Sequence, residues 1–335
     1  MKLYFFIPVF ILSTFSSAFA RDQIRIVGSS TVFPFATVVA ENFSKKKSFK
    51  TPIVESTGTG AGIKLFCSGL GEDFPDISGA SRKIKSSELE DCHKNGVKNI
   101  MEIEIGFDGI ILASSKEHKP YQLSLKQIWQ ALAKKIPQNG KWVDNPYNNW
   151  NDIDPSLSPD KIEVLGPPPS SGTRDAFVEL VLDKGCEEFS EIKNLKPEEK
   201  KVYCQSIRED GHYIEAGEND NLIVQKLTTN PKALGIFGYS FLEQNSDKIE
   251  ASTINKITPT YNTISNNSYP IARSLYIYVK KDHLNLVPGL KEYMTEMTSD
   301  DASSEDGYLI EKGLIPLPAE RHKKITSDVL SLKTI

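Results

Sequence analysis

The segment "IEIGFDGIILAS", residues 103–114, decides the predicted fold because it is an unusually long run with the composition of a β-strand. A second strand-like run lies at residues 272–279, and a full set of alternating strands and helices separates the two. A domain inserted into another domain needs two crossing segments of this kind. The sequence therefore predicts two lobes joined by a two-strand hinge, with a ligand between them.

Outward from these runs, predicted strands alternate with predicted helices, which is typical of α/β domains with mostly parallel sheets. We assign residues 21–106 and 272–335 to lobe I and residues 107–271 to lobe II. The predicted strands are Ile24–Val27, Ile53–Ser56, Asp76–Ala80, Ile162–Leu165 and the strand-like segment 233–241. The predicted helices are one opened by Pro34, one after residues 58–62, Ser86–Asn95, Ser124–Leu132, Thr173–Leu182 and Asn219–Thr229. Residues 137–161 are expected to form a long surface loop, and the charged segment 184–201 an exposed excursion.

Composition indicates a soluble globular protein. The chain has 335 residues, of which 39% are hydrophobic and 25% charged, and its net charge is −4. A nucleic-acid or membrane-surface protein would carry a strong basic field, and this sequence has none. An anion bound here must therefore be held locally, against the overall charge.

The N-terminus has the pattern of a secretory signal. A basic start is followed by an apolar run from Leu3 to Leu12 and by Ala18-Phe19-Ala20, an A-x-A cleavage signal. The apolar run is shorter than the roughly 20 residues that span a membrane, although a membrane anchor is the alternative interpretation. Residues 1–20 are therefore predicted to be a signal peptide, with export of a chain that begins near Arg21.

Four cysteines fall into two local pairs, Cys67 with Cys92 and Cys186 with Cys204. Export implies an oxidising compartment in which such pairs persist as disulfides, and we predict these two bonds. A metal site is the alternative, but the spacing fits no zinc pattern.

Four short segments share small residues and hydroxyls, and each follows a predicted strand. They are residues 28–32 (GSSTV), 56–62 (STGTGAG), 79–82 (GASR) and 170–174 (SSGTR). Helix starts present unpaired backbone N–H groups and a partial positive charge, which suits a tetrahedral oxyanion. The alternative is that all four are ordinary helix caps, for which Ser and Thr are favoured without any ligand.

A nucleophilic serine is a second alternative. Ser171 does not lie in the G-x-S-x-G pattern of serine hydrolases, and the P-loop pattern is also absent. The five histidines lie in polar or charged surroundings and are all expected at the surface: His93, His118, His212, His283 and His322.

These motifs, in this order, resemble the periplasmic phosphate-binding proteins of Pst-type ABC transporters. The matching segments are "VGSSTVFPF" (27–35), "STGTGAGIKLF" (56–66), "ISGASRKIK" (77–85), "SSGTRDAF" (170–177), "GENDNLIVQKL" (217–227), "ALGIFGYSFL" (233–242) and "YPIARSLYIYVKK" (269–281). Each segment is weak alone, whereas the ordered set covers the chain after residue 20. The resemblance implies a type II two-lobe binding fold with discontinuous lobes, no enzyme activity, and delivery of phosphate to an inner-membrane permease.

The resemblance also implies a set of phosphate ligands, carried over position by position. They are Ser30, Thr31 and Val32 in the first loop, Thr59 and Gly60 in the second, Ser81 and Arg82 in the third, and Ser171, Gly172, Thr173 and Arg174 in the fourth. Val32 would act through its backbone N–H. No cofactor, metal or nucleic acid is implied, and we expect a periplasmic monomer that does not insert into the membrane.

The sequence departs from the best-known branch of that family at two positions. That branch has an aspartate where this chain has Arg82, and an arginine where this chain has Pro167. The aspartate accepts a hydrogen bond from protonated phosphate and so rejects sulfate. If an acid does this here, Asp108 is the candidate, and the alternative, which the sequence favours, is an aspartate that serves as a turn or cap residue. Sulfate or arsenate binding and an exported hydrolase or phosphatase using Ser171 or Thr173 remain the alternative functions.

Overall fold

The structure, a computed structural model, describes residues 21–46, 48–169, 171–216 and 220–335, without the side chains of residues 220 and 221. The predicted signal peptide, residues 1–20, and the predicted helix start at Asn219 lie outside the described residues. Within the described part of the chain, no helix combines the length and apolar character needed to cross a membrane.

Strands and helices alternate along most of the chain. The strands are β1 (Arg25–Gly28), β2 (Ile53–Ser56), β3 (Ile77–Ala80), β4 (Ile100–Ser115), β5 (Gln122–Leu123), β6 (Lys135–Gln138), β7 (Lys141–Asp144), β8 (Val164–Gly166), β9 (Tyr213–Glu215), β10 (Leu234–Gly238), β11 (Ile249–Ala251), β12 (Thr253–Ile254) and β13 (Ala272–Lys280).

The α-helices are α1 (Phe33–Lys46), α2 (Thr59–Phe66), α3 (Ser86–Lys94), α4 (Leu125–Leu132), α5 (Trp150–Ile153), α6 (Gly172–Phe177), α7 (Asp183–Cys186), α8 (Pro197–Gln205), α9 (Asp220–Thr229), α10 (Tyr239–Gln244), α11 (Tyr261–Ser265), α12 (Leu290–Met297), α13 (Asp300–Ser303) and α14 (Ala319–Leu330). A π-helical turn, Val178–Leu182, joins α6 to α7. Short 3₁₀ turns cover Ser190–Asn194, Lys281–Asn285 and Ile310–Lys312.

Helix α4 shows how local sequence sets these elements. Ser124 caps the helix: its Oγ accepts a hydrogen bond from the Gln127 N–H at 3.1 Å, and the Gln127 side chain accepts one from the Ser124 N–H at 2.9 Å. This reciprocal pair satisfies two backbone donors at the helix start. The apolar residues Ile128, Trp129 and Leu132 recur at helical spacing and are fully buried.

The long strand β4 connects the two halves of the main sheet, as the segment 103–114 predicted. The sheet order is β2-β1-β3-β13-β4-β10-β8-β9, with β11 also paired to β4. The first part of β4, Ile100–Gly109, pairs antiparallel with β13, whereas its last residues pair antiparallel with β10 and β11. The neighbours β2-β1-β3 and β10-β8-β9 are parallel, as expected.

Two hydrophobic cores lie on the two sides of this crossing. The first core contains buried residues between Ile24 and Ile105 and between Leu275 and Val329. The second core contains buried residues between Phe107 and Ile271, among them Trp129 and Trp150. A smaller cluster around Cys67 and Cys92 packs beside the first core. The predicted lobe boundaries remain a prediction that this separation of the cores supports.

A third segment joins the halves, which the two-strand prediction did not include. The backbone of Ile315 exchanges two hydrogen bonds with Phe107, at 2.8 and 3.0 Å. Ile315 and Leu317 pack in the second core although the flanking residues Leu314 and Val329 belong to the first. The C-terminal region therefore crosses the junction once more.

Both predicted disulfides are confirmed. Cys67 is bonded to Cys92 at a Cα–Cα distance of 4.2 Å, and Cys186 to Cys204 at 5.4 Å. The first bond joins the end of α2 to α3, and the second joins α7 to α8.

Three sequence predictions are wrong. Residues 137–161 are not a plain surface loop, because β6 and β7 form a hairpin and Trp150 is fully buried. The segment 184–201 carries helical turns, and its Ile192 packs in the second core. The strand expected at 233–241 ends at Gly238, where helix α10 begins.

The histidine prediction is also wrong for three of the five residues. His212, His283 and His322 are buried. The cost of burying each polar ring is offset because the ring has a hydrogen-bond partner within the protein. These partners are the Ile162 carbonyl, the Asp76 carboxylate and the Ser303 hydroxyl. His93 is exposed and His118 is half-buried.

Candidate functional site

The four hydroxyl-rich loops lie at the strand-to-helix junctions where the sequence predicts them. The first three follow β1, β2 and β3, which are adjacent parallel strands, so their carboxyl ends meet at one edge of the sheet. The fourth follows β8 in the other half of the sheet and precedes α6. Ligands of open α/β sheets bind at such carboxyl edges.

In the first loop, a buried serine fixes the backbone ahead of α1. The Ser29 Oγ accepts hydrogen bonds from the N–H groups of Thr31 at 3.2 Å and Val32 at 3.4 Å. Ser29 is 4% exposed and Val32 is 2% exposed. Ser29 therefore fixes the backbone of the first loop at Thr31 and Val32.

The second and third loops meet through their hydroxyls. The Oγ atoms of Thr59 and Ser81 lie 3.0 Å apart, and the Ser81 N–H donates to the Thr59 Oγ at 3.1 Å. Helix α2 can start this close to β1 because residue 62 is glycine: a Cβ there would lie 2.4 Å from the Gly28 Cα.

The fourth loop contacts the first loop directly. The Ser171 Oγ caps α6 by accepting a hydrogen bond from the Thr173 N–H at 3.2 Å. The Ser30 hydroxyl donates to the Asp175 carboxylate at 2.8 Å, and a Cβ at Gly172 would lie 3.0 Å from the Ser30 carbonyl. Loops from the two cores thus lie against each other.

A cavity of about 470 Å³ lies where the first and fourth loops meet, and Ser56 of the second loop also lines it. Six of the predicted residues line it: Ser30, Thr31, Asp108, Ser171, Gly172 and Thr173. The structure adds lining residues that the sequence analysis missed: Phe33, Pro34, Phe35, Ser56, Gly238, Ser240, Phe241, Lys312 and Gly313. The other predicted residues do not line this cavity: Val32, Thr59, Gly60, Ser81, Arg82 and Arg174.

The two arginines that follow the hydroxyl loops have partners within the protein. Arg82 makes a bidentate ion pair with Glu88, at 2.9 and 2.7 Å, and this pairing lowers the pKa of the Glu88 carboxyl. Arg174 donates to the Pro167 carbonyl at 3.0 Å and to the Tyr213 hydroxyl at 2.9 Å. It also lies over the Tyr213 ring, and burial raises the pKa of Tyr213 to about 12.

A third arginine, Arg273, lies beside the cavity and was missed. Arg273 is 8% exposed and donates to Asp108 at 3.3 Å, to Glu179 at 2.7 Å and to Thr31 at 2.7 Å. The sequence did carry a signal, because Arg273 opens the second hinge run and faces Asp108 of the first in the β4–β13 register.

Asp108 is held between opposing influences. Its side chain is 19% exposed, and its pKa is raised above the ordinary value because the effect of burial exceeds the opposing effect of the positive charge of Arg273. As long as this carboxyl group is ionised, it can accept hydrogen bonds but cannot donate them.

The described residues contain no group of three or more His, Cys, Asp and Glu side chains placed to hold a metal ion. The cavity is lined by hydroxyls, helix starts and aromatic side chains, with one carboxylate and one lysine. This chemistry suits a bound oxyanion that carries a proton, since donors face its oxygens and the carboxylate can accept the proton's hydrogen bond.

Comparisons with known proteins give consistent relatives. The profile described as "PBP superfamily domain" matches residues 13–301. Protein SphX of Synechococcus elongatus is 29% identical over 320 residues, which cover 94% of this chain and 83% of the relative. The phosphate-binding protein PstS of Staphylococcus saprophyticus is 30% identical over 307 residues, 89% of this chain and 81% of the relative.

The solved structures include a similar protein, described as a possible phosphate binding protein from Planctomyces limnophilus. It is 26% identical, with a TM-score of 0.75, and the match covers 93% of this chain and 99% of that one.

Proposed function

The chain belongs to the PBP superfamily and, within it, to the PstS-like proteins, and on this premise we propose that it captures inorganic phosphate between its two cores and delivers it to an ABC permease. This is a family of substrate-binding transport proteins and not of enzymes. We further propose that the chain itself catalyses no reaction.

The observation that carries this proposal is the cavity at the junction of the two cores. Hydroxyl-rich loops from both cores line it, and the Ser30–Asp175 hydrogen bond joins those loops. Backbone N–H groups at helix starts and neutral hydroxyls can hold an anion without a full positive charge, because they act as preorganised donors. Such a site fits a small, dehydrated oxyanion.

The proposed ligands are the eleven residues carried over from the family. Five of them line the cavity as it stands: Ser30, Thr31, Ser171, Gly172 and Thr173. Val32 lies in the first loop, whereas Thr59, Gly60 and Ser81 lie in the second and third loops, which contact each other through Thr59 and Ser81. Arg82 and Arg174 do not line the cavity in this structure, where they donate to Glu88 and to the Pro167 carbonyl.

We propose Asp108 as the acceptor for the proton of phosphate. Sulfate is fully ionised near neutral pH and offers no such proton. Sulfate would face the partly buried Asp108 carboxylate with no hydrogen bond between them, and the loss of a hydrogen bond to a charged group costs about 1.5–3 kcal/mol. This mismatch is the proposed basis for preferring phosphate.

The remaining parts of the proposal follow from the family and the N-terminal pattern. Export through the signal peptide of residues 1–20 would place a monomer in the periplasm, where lobes formed by residues 21–106 with 272–335 and by residues 107–271 close on phosphate. Hinge closure is the signal that a permease can read.

Titration calorimetry with phosphate, arsenate and sulfate tests the assignment. We expect phosphate and arsenate to bind and sulfate to bind much more weakly, because only the first two carry a proton for Asp108. Sulfate binding comparable to phosphate binding would show that the protein serves another oxyanion.

A phosphoester hydrolysis assay on the wild type and on Ser171→Ala tests the enzyme alternative. We expect no turnover by either protein and weaker phosphate binding by Ser171→Ala. Ser190→Ala, a change in a 3₁₀ turn outside the cavity, is the matched control. Turnover that disappears in Ser171→Ala would overturn the proposed function.

A further inference from the structure

Arg273 occupies an unusual place, because it contacts both sides of the junction while lying outside the cavity lining. Its Nη2 donates to the Thr31 hydroxyl of the first loop, and its Nη1 to Glu179, which follows the fourth loop in the π-helical turn. Its Nε donates to Asp108 on the neighbouring strand β4. Thr31 and Asp108 line the cavity, whereas Arg273 does not.

We propose that Arg273 is a positioning residue for anion specificity, which fixes Thr31 as a hydrogen-bond donor and Asp108 as an ionised acceptor toward the cavity. The inference rests on the proposed phosphate function. It adds that Arg273 determines which of the two side chains donates a hydrogen bond to the anion and which accepts one.

The effect on Thr31 follows from the chemistry of a hydroxyl. A hydroxyl has one hydrogen and two lone pairs, and one lone pair of Thr31 is taken by the Arg273 N–H at 2.7 Å. The hydroxyl hydrogen is therefore free to point at an acceptor in the cavity. A hydroxyl group that accepts a hydrogen bond from a charged group is polarised, and this strengthens the hydrogen bond that the hydroxyl donates.

The effect on Asp108 follows from its burial. A buried carboxyl tends to take up a proton, and a neighbouring positive charge keeps it ionised. An ionised Asp108 can only accept, so it selects an anion that brings a proton. A protonated Asp108 could donate instead, and it would then tolerate sulfate.

Other charged groups around Asp108 must be considered for any pH dependence. Glu179 faces Arg273 and is 54% exposed, so water screens it. Lys312 lines the same cavity and is exposed, and Asp175 is bonded to Ser30. The charged partner of the Asp108 carboxylate is Arg273 and none of these three groups.

Sulfate titration as a function of pH tests the proposal, because sulfate itself does not change its charge over the range used. We expect wild-type protein to bind sulfate only when acidic conditions protonate Asp108. In Arg273→Met, the onset of sulfate binding is expected to move to higher pH, while phosphate binding weakens by roughly 10- to 100-fold. A purely structural role would weaken both anions alike at every pH.

Arg273→Lys and Arg208→Met complete the design. Arg273→Lys keeps a positive charge beside Asp108, so its sulfate onset should match the wild type, although an ammonium group cannot hold Thr31 and Glu179 together. Arg208 is a buried arginine, 3% exposed, which donates to Asp210 and to the Ala131 carbonyl, so its loss controls for general destabilisation.

The outcomes separate two failures. Wild-type protein that binds no phosphate would overturn the proposed function and this inference with it. Wild-type protein that binds phosphate, together with an unchanged phosphate-to-sulfate ratio and sulfate onset in Arg273→Met, would overturn the inference alone. If Arg273→Met does not fold, a shifted sulfate onset in Arg273→Lys would overturn it as well.

Discussion

At the scale of single residues, hydrogen-bond polarity decides what the cavity can hold. Thr31 and Asp108 line the same space but have opposite capacities, because a hydroxyl can donate whereas an ionised carboxylate can only accept. An anion with one proton satisfies both, and an anion without a proton does not.

Asp108→Asn should reverse part of this selection. The amide can donate a hydrogen bond, so we expect phosphate affinity to fall by roughly tenfold and sulfate affinity to rise. Calorimetric titration of both anions measures the change. Asp160→Asn is the control, since Asp160 pairs with Lys232 outside the cavity. A phosphate-to-sulfate ratio equal to that of the wild type would remove Asp108 from the specificity mechanism.

At the scale of elements, a cluster of charged side chains links the segment 69–76 to the end of β13. Asp76 is fully buried and accepts hydrogen bonds from Arg21 at 2.5 Å and His283 at 2.7 Å. Lys280, at the end of β13, is also fully buried and donates to the Gly69 carbonyl. These contacts tie the segment to β13.

Lys280 should make the stability of the fold depend on alkaline pH. Burial lowers its pKa from 10.5 to about 8, and Asp76 only partly offsets this effect. Between these values the unfolded chain binds more protons than the folded one, so the free energy of unfolding rises with pH, by at most about 1.4 kcal/mol per pH unit. Below about pH 8 the lysine is protonated in both states, and its contribution to the pH dependence disappears.

Urea unfolding at several values from pH 7 to pH 10 measures the effect. We expect the free energy of unfolding to rise less steeply with pH in Lys280→Met than in the wild type. Lys281→Met, at the adjacent position, should keep the slope of the wild type. Equal pH slopes for the wild type and Lys280→Met would contradict the prediction.

Elements with strong local signals were predictable, and those decided by distant contacts were not. The run 103–114 predicted the crossing strand β4, and the glycines and hydroxyls predicted the four loops. Trp150 could not be placed, because its neighbours in sequence are polar and its burial depends on the second core. The same reason explains His283, whose partner Asp76 is 207 residues away.

The site was predictable to a similar degree. The loops identified the cavity, but side-chain direction was not encoded locally, so Arg82 and Arg174 are paired with Glu88 and Pro167 in this structure. Arg273 and Lys312 belong to segments that approach the loops only after the chain has crossed the junction. Their contribution requires the tertiary structure.

At the scale of the whole molecule, the charge balance opposes anion binding, since the net charge is −4. Among the described residues that line the cavity, Lys312 carries the one positive charge, at the end of the 3₁₀ turn that precedes the third crossing segment. A cation at the mouth of a cleft raises the rate at which anions arrive, more strongly at low ionic strength.

Lys312→Gln should therefore slow association more than it speeds dissociation. We expect the association rate constant for phosphate to fall by roughly two- to tenfold at low ionic strength, with a smaller difference in high salt. Rapid-mixing kinetics at two salt concentrations measure both effects. Lys291→Gln, an exposed lysine of α12 outside the cavity lining, is the control. A change confined to the dissociation rate would show that Lys312 acts only after binding.

The separation of the two cores also determines what optical measurements can observe. All three tryptophans belong to the second core or pack against it, namely Trp129, Trp142 and Trp150. Tryptophan emission therefore follows that half of the molecule, whereas the first core contributes tyrosines such as Tyr293. Far-ultraviolet circular dichroism records both halves. Coincident midpoints by the two signals would mean that the cores melt as one cooperative unit, and an earlier dichroism transition would mean that the first core melts independently.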